Sequence, residues 1–145
     1  MVTTTTAAAE RTATRPRARA ALILTAAVAI AVALNAVIAA VAIAGGTPAT
    51  YGPLTPPAFG LFTALGVAAG WVGWSLVDRR AKNPGRMLSI LVPAVTVASF
   101  IPDVLLLALG FIPGTTTGAV IALMAMHIVV VAVAVPAYML ASRPR

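Results

Sequence analysis

The ten basic residues of this chain fall into three clusters, and the stretches between them are apolar or uncharged. Arg11, Arg15, Arg17 and Arg19 form the first cluster, Arg79, Arg80, Lys82 and Arg86 the second, and Arg143 and Arg145 the last. Two charge-free segments, 45–57 and 110–118, interrupt the apolar runs. Apolar runs whose ends are alternately basic and uncharged mark a chain that crosses a membrane repeatedly with its basic loops inside. The layout predicts an all-α, polytopic integral membrane protein. The expected architecture is a four-transmembrane-helix bundle in the cell membrane, with both termini in the cytoplasm.

Composition supports this. A soluble domain is roughly 45–50% apolar and about 25% charged, whereas this chain is 61% apolar and 9% charged, too little polar surface to face water. The formal charge of +7 is then no nucleic-acid footprint. Each basic group beside a span interacts with anionic lipid headgroups on the cytoplasmic side, worth about 1 kcal/mol near the surface. No nucleic-acid partner is expected. The chain has no cysteine, one histidine and three carboxylates, too few ligands for a self-contained metal site and no thiol chemistry. No cofactor and no enzymatic role are expected.

Residues 1–18 read as a disordered cytoplasmic tail, because the Thr- and Ala-rich start lacks apolar periodicity. Residues 19–141 form the membrane domain, with spans at about 20–44, 58–77, 87–109 and 119–140, and 142–145 is a second cytoplasmic tail. The first span is longer than the roughly 7–15 apolar residues of a signal peptide, so it reads as a retained anchor. Ala42-Ile43-Ala44 nevertheless imitates a cleavage site. Tyr51 and Phe59 are expected near the outer interface, and Trp71 and Trp74 near the inner end of the second span. Asn83-Pro84-Gly85 supplies the turn of the basic loop.

Small residues let helices approach in lipid, where the hydrophobic effect gives no drive to associate. On the second span Thr63, Gly66, Gly70 and Gly73 recur at steps of three and four, with Gly66 and Gly70 forming a GxxxG pair. On the first span Ala31, Asn35, Ala39 and Ala42 do the same.

Four polar residues stand out within the spans: Asn35, Ser99, Asp103 and His127. Counted from the outer ends at 1.5 Å per residue, Asp103, His127 and Asn35 lie about 9, 12 and 14 Å deep. An aspartate at mid-membrane costs about 2.5–3.5 kcal/mol on insertion scales, so it should face the bundle interior and find a partner. The third and fourth spans are joined by a short turn, which makes an Asp103–His127 contact reasonable. Pro102 lacks an N–H and frees the carbonyl of Ala98 beside these groups. Two readings compete. In one, the layer is a buried hydrogen-bond network fixing helix register; in the other, it lines an outward-facing cavity for a proton or small solute.

The segments Pro53-Leu54-Thr55-Pro56, Phe62-Thr63-Ala64-Leu65-Gly66, Ser99-Phe100-Ile101-Pro102-Asp103 and Ala125-Met126-His127-Ile128-Val129 occur in an order that resembles a known family. It is the family of uncharacterised actinobacterial membrane proteins catalogued as domain of unknown function 6069. The resemblance runs from the first span to Tyr138. It implies a four-helix bacterial membrane protein, places Asp103 and His127 within recognisable segments, and supplies no activity.

These readings give two functional expectations. The first is a non-enzymatic structural or accessory subunit that self-associates or joins an unidentified membrane partner. The second is a small oligomeric transporter or proton-responsive channel that uses the polar layer.

Overall fold

The computed structural model describes the backbone of residues 5–143 and the side chains of residues 17–143. Residues 1–4 and 144–145, which belong to the two predicted tails, lie outside the described residues. Five helices follow one another: α1 (Thr5–Ala44), α2 (Pro56–Arg80), α3 (Pro84–Ala98), α4 (Phe100–Leu109) and α5 (Thr117–Ser142). Four stretches are long and apolar enough to cross a membrane: Arg17–Ala44, Pro56–Arg80, Pro84–Leu109 and Thr117–Ser142.

Each predicted span falls inside one of these stretches, and the ends move for local reasons. Prolines occupy the first turns of α2 and α3, where a missing N–H costs nothing and the fixed φ favours helix entry. α1 runs back to Thr5, inside the segment expected to be disordered. Alanine and arginine are among the strongest helix formers, and an absence of apolar periodicity does not measure that propensity.

α1 closes in a Schellman motif. Thr47 donates its N–H to the Ala42 carbonyl and Gly46 to the Ile43 carbonyl, both at 3.0 Å, with Gly46 at φ +100°, a conformation that favours glycine. α5 opens on an N-cap, Thr116 Oγ1 accepting from the Ala119 N–H at 3.1 Å. The third span is broken once. The helix is interrupted at Ser99 between α3 and α4, three residues before Pro102, whose missing N–H leaves the Ala98 carbonyl without its intrahelical donor. Pro93 sits within α3 without dividing it.

α5 is the hub, packing most extensively along α1 and touching α2, α3 and α4 as well. Its buried residues, Ala119, Val120, Ala122, Leu123, Met126, Ala134, Ala137 and Tyr138, follow steps of three and four over most of its length. Two packed clusters stack along it. One joins the end of α1, the start of α2 and the start of α5 through Ala39, Tyr51, Leu54, Phe59, Ala122 and Met126. The other joins the opposite ends of the same helices through Leu24, Val67, Trp71, Trp74, Ala134 and Tyr138. α1 therefore runs antiparallel to both α2 and α5. Tyr51 and Phe59 lie at the uncharged end of the bundle and are buried in its packed cluster. The loop after α1 folds back over the bundle end, and a short 3-10 turn at Gly52–Leu54 tucks Leu54 in.

Candidate functional site

The polar residues singled out within the spans fall on two different helix seams. On the α4–α5 seam, Asp103 is 4% exposed, and its Oδ2 lies 3.2 Å from His127 Nδ1. That nitrogen also lies 2.9 Å from the Leu123 carbonyl, one turn back on α5. A ring nitrogen facing two oxygens carries the proton, so the tautomer follows from its neighbours. The proton is directed at the carbonyl, and Asp103 Oδ2 is left without a hydrogen bond although it is within ion-pair distance. Phe100 meets the imidazole edge-on at 6.2 Å, and the histidine side chain remains 40% exposed at the edge of the seam.

On the α1–α2 seam, Asn35 is 1% exposed and donates from Nδ2 to Thr63 Oγ1 at 2.9 Å. Its Oδ1 has no partner. Asn35 is thus not brought to Asp103 and His127: α1 packs on α2 and α5, while α4 packs on α5 and α3. Ser99 does not join either pair, because its hydroxyl donates to the Thr96 carbonyl at 2.6 Å. Equal depth did not imply contact, since depth fixes height along a bundle and leaves the angle around it open.

The small-residue stripes divide in a similar way. On α1, Ala27, Ala31, Asn35 and Ala39 are buried at steps of four, and Ala42 packs partly against the same cluster. On α2 the packed line is Phe59, Thr63, Val67, Gly70 and Trp74. Gly66 and Gly73 are exposed, and a Cβ on either would meet nothing within 4 Å. At about 100° per residue they lie about 60–80° off the line through Thr63, so the GxxxG pair splits, with Gly70 packed and Gly66 open.

Gly70 receives the side chain of Tyr138 on α5. Tyr138 is buried and donates its hydroxyl to the Val67 carbonyl at 2.7 Å. Its ring lies 5.8 Å from Trp71 and 5.7 Å from Trp74. A Cβ on Gly70 would overlap that hydroxyl and sit 3.2 Å from Cζ. The only sequence signal for this seat was an inward glycine on α2 and a tyrosine at matching depth on α5.

The end of the bundle where α2 finishes and α3 begins carries the basic groups. Arg79, Arg80, Lys82 and Arg86 are exposed there, Arg17 is exposed and Arg19 half-buried; the Arg15 side chain lies outside the described residues. Two cavities open at this end. One, of about 490 Å³, lies between α1, α2 and α5 and is bordered by Arg17, Ser75, Asp78 and Arg79. The other, of about 540 Å³, lies between α2, α3 and α5 and is walled mainly by apolar residues such as Leu88, Val92, Val135 and Met139. Trp74, Asp78 and Ser142 border both. Neither is bordered by Asn35, Asp103 or His127.

No curated protein and no solved structure matches the chain. The model of a family of unknown function (DUF6069) matches residues 10–144, nearly the whole chain, and the chain belongs to that family.

Proposed function

We propose that the chain is a multi-pass protein of the cell membrane, with both termini cytoplasmic, serving as a non-enzymatic structural or accessory subunit. Several observations support insertion. Large apolar side chains including Leu22, Val41, Phe62, Val72, Ile90 and Val97 cover the outside of the bundle, and the basic residues gather at one end. Under the rule that places lysine and arginine in cytoplasmic loops, that end is inside. The anionic cytoplasmic leaflet is then its lipid partner. No catalytic step and no cofactor are assigned.

The observation that carries the subunit reading is the disposition of the polar groups. Asn35 is engaged with Thr63 across α1 and α2, Asp103 is buried against His127 across α4 and α5, and both described cavities lie at the other end. These groups therefore hold helices together. α3, in addition, has no buried residue, which leaves one flank of the bundle open to a second copy or another membrane protein.

A second reading, a small oligomeric transporter or proton-responsive channel, draws on Asn35 Oδ1 and Asp103 Oδ2, which are buried without a hydrogen bond. The chain has no native cysteine, so single cysteines at 35, 99, 103 and 127 can be exposed to a membrane-impermeant thiol reagent from outside. The subunit reading expects protection at 35 and 103. Labelling at both would replace it with the water-filled vestibule.

A further inference from the structure

We propose that the cavity between α1, α2 and α5 at the basic end binds the phosphate group of an anionic glycerophospholipid, with Arg17 and Arg79 as its cationic contacts. The inference rests on the reading of a bilayer-inserted protein whose basic end meets the anionic leaflet.

Two arginines from different helices border one cavity of about 490 Å³, and a single carboxylate, Asp78, borders it with them. Among the described residues the only ionic contact within 4.0 Å is Asp103–His127, so neither arginine is paired with a described carboxylate, Asp78 included. A guanidinium offers paired N–H donors that match phosphate oxygens, and Ser75 places a hydroxyl on the same wall. The local balance of two cations against one anion favours a lipid with net negative charge over a zwitterionic one.

The depth profile selects a lipid over a free anion. Leu24 lies seven residues beyond Arg17 on α1, about 10 Å nearer the bundle centre. Trp71 and Trp74 precede Arg79 on α2 by about 12 and 8 Å. The cavity is thus charged at its mouth, with Leu24 and the two indoles lining it below. A phospholipid has the same order of phosphate, glycerol and acyl chain, and basic pockets between helices at the cytoplasmic side recognise such headgroups. A water-soluble phosphate would use the mouth and leave the apolar floor empty.

Trp71 and Trp74 border the cavity and are the two tryptophans of the chain, so quenching of their fluorescence reports occupancy. The full chain is reconstituted in phosphatidylcholine vesicles doped with brominated phosphatidylglycerol, phosphatidylethanolamine or phosphatidylcholine. The expected result is preferential quenching by phosphatidylglycerol, by about fivefold per arginine. The preference should fall toward unity in Arg17→Gln/Arg79→Gln and persist in Arg80→Gln/Arg86→Gln, which loses the same charge away from the cavity. Asp78→Asn should strengthen it. Equal loss in the two double variants would overturn the site in favour of diffuse surface charge, as would stronger quenching by phosphatidylethanolamine. Displacement by millimolar glycerol 3-phosphate would assign the cavity to a soluble phosphate and overturn the lipid. Flotation of the vesicles separates the two readings: a protein that fails to float fails both, and one that floats without selective quenching loses the lipid site alone.

Discussion

Replacing Gly70 with alanine tests whether α2 and α5 are joined by the Tyr138 seat. The new methyl would overlap the Tyr138 hydroxyl and stand 3.2 Å from Cζ and 3.3 Å from Cε2. Tyr138 cannot withdraw freely, because Trp71 and Trp74 flank its ring and its hydroxyl is bonded to the Val67 carbonyl. Overpacking of this kind costs about 1–3 kcal/mol, and an interhelical hydrogen bond lost in a membrane protein adds about 0.6 kcal/mol. Alanine returns up to about 1 kcal/mol of helix propensity over glycine. A net loss of about 1–2 kcal/mol is expected for Gly70→Ala. Gly66→Ala meets nothing within 4 Å and should be neutral or slightly stabilising. Unfolding in mixed detergent micelles, followed by tryptophan fluorescence, reads both, since the two indoles report on this seat. Tyr138→Phe removes the oxygen in the way, so Gly70→Ala/Tyr138→Phe should fall short of the summed single effects by more than about 0.5 kcal/mol. If Gly70→Ala behaves like Gly66→Ala, Tyr138 does not sit on α2 and the reasoning fails.

Other variants probe the seams and the caps. Asn35→Leu and Thr63→Val should each cost about 0.6 kcal/mol and at most about 1.7, and the double variant should cost little more than either; full additivity would deny the hydrogen bond. For Asp103 and His127, whose contact is not a directed hydrogen bond, a cycle of Asp103→Asn with His127→Phe should give a coupling below about 0.6 kcal/mol. A value above the roughly 1.7 kcal/mol limit would mean a strong ion pair. Gly46→Ala forces a side chain into φ +100° and should cost about 1–2 kcal/mol. Gly52→Ala, with open space around it, should unfold close to the unmodified protein.

The fold was legible in the sequence because the four apolar runs and their charged borders are one-dimensional signals. Helix count and order need only length along the chain, and the small-residue line of α1 needs only a step of four. What pairs with what is an angular property, and depth counting is blind to it. Asn35, Asp103 and His127 were level in the count, yet Asn35 pairs with Thr63 on α2 while Asp103 meets His127 on α5. Gly66 and Gly70 match the same motif, but only the one facing Tyr138 is packed. Tyr51 carries an interfacial side chain, and its burial at 1% depends on a loop folding back over the bundle, with its hydroxyl 3.3 Å from Thr115 Oγ1 in a distant turn. No local pattern encodes that return.

The third span is held differently from the other three, and the difference bears on partners. α3 buries no residue, and α4 buries only Asp103. Leu106 adds partial packing against the cluster at the uncharged end. In water such a helix would be secured by covering its apolar side chains. A bilayer removes that drive, leaving close packing and polar contacts to position the helix. The break at Ser99 divides the span above its one buried anchor, so α3 and α4 can respond separately to a neighbour. A span with one buried residue and an otherwise half-buried seam is the one best placed to exchange lipid for another helix. If the chain works as a subunit, crosslinks from Ile90, Val95 or Val97 should reach its partner before crosslinks from Leu22, Ile30 or Val37 on the well-packed α1. The reverse order would put the interface on α1 and leave the exposed third span as lipid contact alone.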